Sequence, residues 1–156
     1  MAGSLYSLIY RSYARPPWIG DKSLRDIVQE AHAFNSQNDV TGVLIFSDGV
    51  FVQVLEGGTA TILQLTARIA ADRRNERLRV LWHGLVPERQ FPDWTMGCFD
   101  MTDVQPSDNP VPQAVMRRGG EGPVWTDQMT QKLIAFYSEN RVSGLEPMFQ
   151  QMRRLS

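Results

Sequence analysis

The sequence has very little cysteine and histidine. Cys98 is the single cysteine among 156 residues, so the chain can form no internal disulfide and no cysteine-based metal site. The two histidines, His32 and His83, have no recognisable metal-ligand spacing. These absences predict no bound metal, and a lone thiol is most simply explained by a reducing, cytoplasmic setting.

Neither sign of charge is in excess, because 16 Lys and Arg residues are balanced by 17 Asp and Glu residues. A general nucleic-acid-binding protein would carry a basic face, so we expect no nucleic-acid partner. No apolar run approaches the roughly 18 residues of a membrane-spanning helix. The amino-terminal segment MAGSLYSLIYRSYAR also lacks the positive start of a secretory signal. We therefore expect no membrane partner.

Sequence motifs of common enzymes are absent as well. The chain has no G-x-S-x-G, H-E-x-x-H, Walker P-loop or G-x-G-x-x-G motif. No spacing fixes a base beside a nucleophile, so we predict no catalytic residues and no enzyme activity. What remains is an ordinary globular composition, with 42% hydrophobic and 21% charged residues, at a length that favours one domain.

Short apolar runs and amphipathic segments alternate along the first two thirds of the chain. Apolar runs predict strands at 5–10, 40–46, 50–55, 78–85 and about 94–101. Helical periodicity predicts one helix from Asp21 or Ser23 to about 35–38, and a second from Thr59 to about 72. Asp48-Gly49 lies between two of the predicted strands and indicates a hairpin.

This order of elements predicts the fold class. The first six elements match the β-α-β-β-α-β, ferredoxin-like arrangement of an α+β domain, with a fifth strand added to a mixed sheet and two helices on one face. Residues 103–123 are rich in Pro and Gly and indicate a linker, and helices are predicted at about 126–140 and 145–155. We expect a domain at 1–102 and an extension at 103–156 that covers the open sheet face or forms an oligomer contact.

Three polar side chains lie at positions where a buried ligand is conceivable. Gln53 shares strand alternation with the apolar Phe51 and Leu55, so its amide is expected to be buried and to need partners. Tyr10 ends the first predicted strand, and Asn35 ends the first predicted helix. They either converge on one ligand or make separate structural bonds to the backbone, and the pattern alone leaves both readings open.

Several motifs resemble, in order, those of BLUF domains, which are blue-light sensors that bind flavin. The resemblance covers about residues 3–100. The motifs are Tyr10-Arg11-Ser12, Asn35, Val40-Thr41-Gly42-Val43-Leu44, Phe51-Val52-Gln53-Val54-Leu55-Glu56-Gly57, Asp72-Arg73-Arg74 and Arg89-x-Phe91-x-x-Trp94-x-Met96. The F-x-Q-x-L-E-G motif is the most specific of them.

The resemblance implies that FAD is the cofactor and lies between the two helices. It implies that Tyr10 is the photoactive tyrosine and that Gln53 lies between it and the flavin. It implies a mobile last-strand pair, Trp94 and Met96, which exchange places near the glutamine and relay the signal; which of them lies nearer the flavin stays open. The implied flavin-binding residues are Asn35 at the carbonyl edge, Ile27 and Ile69 against the ring, and Arg68, Asp72 and Arg74 near the ring and its tail.

The function implied by the resemblance is light-driven electron and proton transfer from Tyr10, followed by rearrangement of the Gln53 hydrogen bonds. The signal would pass through the last strand and the C-terminal helices to an unidentified downstream protein or to self-association, with a homo-oligomer expected. Two departures alter the ring environment, since Phe34 and Asn75 stand where relatives commonly have other, polar side chains. The alternatives are a flavin-binding redox enzyme and a light-insensitive interaction module of the same fold.

Overall fold

The computed structural model describes residues 5–17, 20–119 and 125–140. The strands are β1 (Leu5–Ala14), β2 (Thr41–Ser47), β3 (Val50–Gly58), β4 (Asn75–Val86) and β5 (Gly97–Asp100). The helices are α1 (Gly20–Gln37), α2 (Thr59–Ala71), the single turn α3 (Gln113–Met116) and α4 (Asp127–Asn140), with a 3-10 turn at Pro106–Asp108. Among the described residues no helix is long and apolar enough to cross a membrane.

The five strands form one mixed sheet in the order β4-β1-β3-β2-β5. Strand β1 is antiparallel to both β3 and β4, β2 is antiparallel to β3, and β5 is parallel to β2. Strand β1 therefore separates β3 from β4, which is the split arrangement of a ferredoxin-like core. The predicted α+β class, with its added fifth strand, is confirmed.

The predicted hairpin forms between β2 and β3. Asp48 and Gly49 have φ of 50° and 83°, the positive values at both central residues that a type I′ turn requires. This turn fixes the register that pairs Ser47 with Val50 and, further along, Leu44 with Gln53. The Asp48-Gly49 turn therefore determines that Leu44 of β2 lies beside Gln53 of β3.

Alternation along β1 and β3 sends side chains to two separate apolar layers. Helices α1 and α2 cover one face, where Leu24, Val28, Ile62 and Leu65 pack on Leu8, Leu44 and Leu55. The other face is covered by the segment after β5 and by α4, through Val111, Val115, Met116, Trp125 and Leu133. The helix predicted at 126–140 is present as α4, whereas the one predicted at 145–155 lies outside the described residues.

Strand β1 is longer than the predicted run 5–10. It continues to Ala14 because Arg11, Ser12 and Tyr13 pair with β3 on one side, and Arg11 and Tyr13 also pair with β4 on the other. Arg11 is only 4% exposed, although it is charged, and its guanidinium donates to the Val115 carbonyl at 3.4 Å. A strand predicted from apolar residues alone therefore ends too early.

Candidate functional site

A cleft lies between α1, α2 and the sheet. Its walls contain eight of the residues that the resemblance implied as photoactive or flavin-binding: Tyr10, Ile27, Asn35, Gln53, Arg68, Ile69, Asp72 and Arg74. Trp94 and Met96 are not among its lining residues. The fold therefore brings together, in one cleft, side chains from four separate stretches of the chain.

Tyr10 and Gln53 meet at the base of this cleft. They are directly opposite each other in the β1–β3 register and point to the same face, since paired residues share a side of the sheet. The Tyr10 hydroxyl donates to Gln53 Oε1, and the two residues are only 4% and 5% exposed. Burial, helped by the nearby Asp72 carboxylate, raises the pKa of Tyr10 far above its ordinary value, so the phenol stays neutral and keeps its donor.

The other end of the Gln53 amide faces Met96, with Nε2 at 3.3 Å from Sδ. A thioether sulfur accepts hydrogen bonds weakly and donates none, whereas the Tyr10 hydroxyl can do either. The amide orientation with Oε1 towards Tyr10 and Nε2 towards Met96 satisfies both neighbours. Met96 therefore favours this one orientation of the glutamine.

Asn35 lies in the last turn of α1 and is fully buried. Its Nδ2 donates to the Thr95 carbonyl at 3.0 Å, in the segment before β5. Its Oδ1 has no partner among the described residues, and the same holds for Ser12 Oγ and Asn75 Oδ1, which also line the cleft. An unpaired buried polar atom costs about 1–3 kcal/mol, so three of them in one cleft indicate a ligand with several hydrogen-bonding groups.

Two charged contacts cross from α1 towards α2 at the edge of the cleft. Arg74 donates to Asp72 Oδ2 at 2.5 Å and to Glu30 Oε1 at 2.8 Å, and its guanidinium holds the pKa of the Asp72 carboxyl below its usual range. The Arg68 guanidinium lies 4.9 Å from the centre of the Phe34 ring, so the apolar substitution at Phe34 supplies a cation–π partner. The charged groups therefore lie at the rim, and the polar groups deeper in the cleft are uncharged.

The prediction that Trp94 and Met96 lie on the last strand is wrong. Strand β5 begins at Gly97, and both residues belong to an irregular segment before it, where Trp94 N donates to the Phe91 carbonyl at 3.3 Å. Trp94 packs in the layer away from the cleft, 5.4 Å from the Phe99 ring, whereas Met96 packs in the layer on the cleft side. Met96 is therefore the one beside Gln53.

Sequence reasoning gave no site role to several residues that line or support the cleft. Ser12 and Glu30 line it. Glu56 and Arg89 support the segment that carries Met96, through bonds to Thr41 and to the backbone of that segment. The sequence signal that could have identified Glu56 is its position directly after the apolar run Phe51–Leu55, because a carboxylate buried there needs hydrogen-bond donors.

The described residues contain no group of three His, Cys, Asp or Glu side chains that could hold a metal ion. Cys98 is fully buried within β5, and burial raises the pKa of its thiol far above the ordinary value. Among the described residues, the cleft is therefore the candidate functional site, because it contains the unpaired buried polar atoms of Ser12, Asn35 and Asn75.

Comparison with known proteins gives a family match over residues 5–97, to the model described as BLUF, sensors of blue light using FAD. The chain is 34% identical over 115 residues to the blue light- and temperature-regulated antirepressor BluF of Escherichia coli (strain K12), covering 74% of this chain and 28% of that protein. It is 33% identical over 94 residues to the photoactivated adenylate cyclase subunit beta of Euglena gracilis, covering 60% of this chain and 11% of that protein.

A solved structure described as BlrB, a BLUF protein in its dark state, superposes with a TM-score of 0.65 at 27% identity. The match covers 87% of this chain and 99% of that one. The two curated relatives are much longer, since the chain spans only 28% and 11% of their lengths.

Proposed function

The chain belongs to the BLUF family of sensors of blue light that use FAD, and we propose that Tyr10 and Gln53 are its photoactive pair. The observation that carries this proposal is a buried series of contacts, from the Tyr10 hydroxyl to Gln53 Oε1 and from Gln53 Nε2 to Met96 Sδ, in which Tyr10 and Gln53 line the cleft. Such a series of contacts can change its hydrogen-bond pattern without moving net charge.

The cleft fits the isoalloxazine ring of FAD. The ring is flat and apolar on its faces, and Ile27 and Ile69 offer aliphatic walls from α1 and α2. Its edge carries an imide N–H and carbonyls, and the unpaired Asn35 Oδ1 is an acceptor suited to that N–H. Arg68 supplies positive charge at the rim, which suits the negatively charged tail of the cofactor, whereas Arg74 is paired with Asp72 and Glu30 and would have to exchange one of them for the tail.

When bound, FAD absorbs blue light and becomes an electron acceptor. Tyr10 is a buried neutral phenol that could give an electron to this acceptor, and its Oη proton could move onto Gln53 Oε1, which accepts a hydrogen bond from it. Electron and proton would both return to Tyr10, leaving a neutral amide. Rotation of that amide would point Oε1 at Met96 Sδ, which has no proton to donate. Rotation therefore disfavours the present position of Met96, which makes the Met96 segment the first to respond.

The output is proposed to pass from the sheet to the C-terminal part of the chain, with 1–102 as the sensor and 103–156 as the extension. Two observations support this route. Tyr13, three residues after Tyr10 and on the opposite face, accepts from the Gly119 N–H at 3.1 Å, and Phe99 of β5 packs edge-on against Phe136 of α4 at 4.8 Å. A movement of β1 or β5 would therefore be transmitted through these two contacts to Gly119 and to α4.

We propose that the chain is itself without enzyme activity and acts on a downstream protein, or through a changed homo-oligomer, in a cytoplasmic setting. The relatives named as an antirepressor and a cyclase contain the matching segment within much longer chains. This is consistent with a light-sensing unit whose effector is a separate part or a separate protein.

The experiment compares the wild-type protein with Tyr10→Phe, both loaded with FAD. The wild type should show a small red shift of the flavin bands under blue light that reverses in the dark. Tyr10→Phe should keep FAD and lose the shift, because the electron and proton donor is gone while the cleft is intact. A normal reversible shift in Tyr10→Phe would refute the role of this tyrosine.

A further inference from the structure

A buried carboxylate, on the opposite face of β3 from Gln53, holds the segment that leads to Met96. Glu56 is fully buried, and its Oε1 accepts from the Phe91 N–H at 2.7 Å and from Thr41 Oγ1 at 2.9 Å. Its Oε2 accepts from the Gln90 N–H at 2.9 Å. Burial raises the pKa of Glu56, and the three donors act in the opposite direction. The light response proposed above makes no use of this carboxylate.

Arg89 reinforces the same anchor from the other side. Its Nη1 donates to Thr41 Oγ1 at 2.8 Å and to the Glu56 carbonyl at 3.3 Å. Its Nη2 donates to the Asp39 carbonyl at 2.7 Å and lies 3.0 Å from the Asp39 carboxylate. Three consecutive residues, 89 to 91, are therefore tied to the ends of β2 and β3.

Between this anchor and Met96 the backbone is held by two further hydrogen bonds. Trp94 is fully buried and its carbonyl accepts from the Gly42 N–H of β2 at 3.0 Å. The Thr95 carbonyl accepts from Asn35 Nδ2 at 3.0 Å, and Met96 follows, fully buried with Sδ at 3.3 Å from Gln53 Nε2. The backbone of this segment donates twice to a charged side chain, the Glu56 carboxylate.

We propose that Glu56 is a positioning residue for the light response: its carboxylate fixes the segment 90–96 so that Met96 Sδ lies against Gln53 Nε2 and holds the amide in its dark orientation. The inference rests on the proposed function for its link to light. The geometric part, that Glu56 positions Met96, stands on the dark structure alone. Hydrogen bonds to a charged acceptor are about twice as strong as neutral ones, which is why one side chain can govern the segment.

Glu56→Gln tests this directly. The carboxylate accepts at both oxygens, whereas an amide has one acceptor and one donor group. In either orientation the new NH2 faces a backbone N–H, that of Gln90 or that of Phe91, so at least one of them loses its acceptor. The segment should loosen with little change in side-chain size.

The matched control is Asp39→Asn. The Asp39 side chain is 95% exposed, so the change removes a charge from Arg89 without touching a buried group. The Asp39 carbonyl, to which Arg89 Nη2 donates, is kept, and Asn tolerates the positive φ of 57° at this position. Any effect of altering the Arg89 ion pair alone is thereby measured separately.

Two readouts are made on the full chain loaded with FAD. In the dark, the NMR signals of the Met96 methyl group and the Gln53 side-chain amide should shift in Glu56→Gln and stay as in the wild type in Asp39→Asn. After blue light, recovery of the dark spectrum should slow by about threefold to tenfold in Glu56→Gln, because a loosened Met96 must find its contact again. Recovery in Asp39→Asn should be unchanged.

The proposal is overturned if folded Glu56→Gln shows wild-type Met96 and Gln53 signals and a wild-type recovery rate. If Glu56→Gln does not fold, Glu56→Asp decides, because it keeps the charge but draws the carboxylate back by one methylene from the Gln90 and Phe91 N–H groups. Smaller shifts of the same Met96 and Gln53 signals would support the proposal, and unchanged signals would refute it. If the wild-type spectrum does not change under blue light but Glu56→Gln still shifts the Met96 and Gln53 signals in the dark, the proposed function is refuted and the positioning role of Glu56 stands.

Discussion

Removing either member of the Tyr10–Gln53 hydrogen bond should destabilise the fold, and removing both should cost less than the sum. Tyr10→Phe leaves Gln53 Oε1 without its donor, and Gln53→Leu leaves the Tyr10 hydroxyl without its acceptor. Both groups are at most 5% exposed, so water cannot replace the lost partner. Leaving such a group unpaired costs about 1–3 kcal/mol, whereas replacing both partners by apolar groups is close to neutral.

The double variant should therefore be more stable than additivity predicts, by about 1–3 kcal/mol. The assay is urea unfolding in the dark at one saturating FAD concentration, with the FAD affinity of each variant measured separately, because bound ligand adds to stability. Tyr10→Phe combined with Trp125→Phe, on the opposite face of the sheet, is the control and should be additive. Additivity of Tyr10→Phe and Gln53→Leu within about 0.5 kcal/mol would refute the buried pair.

Two further predictions concern alkaline stability and the packing of Trp94. Burial raises the pKa of Tyr10 above its ordinary 10.0, so the fold favours the neutral phenol; its stabilisation is complete below that value and is lost as pH rises towards the folded pKa. The free energy of unfolding should thus fall more between about pH 8 and about pH 11 in the wild type than in Tyr10→Phe, and equal losses in urea titrations would contradict this. A Cβ at Gly97 would lie 2.4 Å from Cε3 of the Trp94 ring, whereas one at Gly58 meets nothing nearer than 3.8 Å. Gly97→Ala should lower the free energy of unfolding by about 1–3 kcal/mol through overpacking, and Gly58→Ala should not; equal urea midpoints for the two variants would show that Trp94 yields easily.

Local patterns predicted much of the fold because they report local physics. The Asp48-Gly49 turn set the β2–β3 register, and strand alternation put Tyr10 and Gln53 on one buried face. The resemblance then supplied the cleft residues on α1 and α2, which no spacing rule would have selected. Alternation alone left open whether Gln53 met a ligand or the backbone.

The segment before β5 could not be predicted in the same way. Its apolar residues Trp94 and Met96 look like strand alternation, but they go to opposite layers of the molecule. Their conformation is determined by long-range bonds, from Glu56 to the backbone of 90–91 and from Asn35 to Thr95. Such contacts join residues that are far apart in the sequence and leave no periodic signal.

Strand β1 shows the same limit in a different form. Arg11 reads as a surface residue that ends a strand, yet it is buried where the C-terminal segment covers the sheet. The Val115 carbonyl and the ring of Tyr13, 5.6 Å from the guanidinium carbon, are its neighbours there. A cation can be buried in this way only once the covering segment is in place, which is a property of the whole fold.

The most direct test of the central claim is the absorption spectrum of the FAD-loaded protein, recorded in the dark, under blue light and again after a dark interval. The account predicts a small red shift of the flavin bands that needs no added reductant and reverses fully in the dark. Flavin bands that stay unchanged under light, or that bleach only when an electron donor is added, would contradict it and favour a light-insensitive module or a redox enzyme.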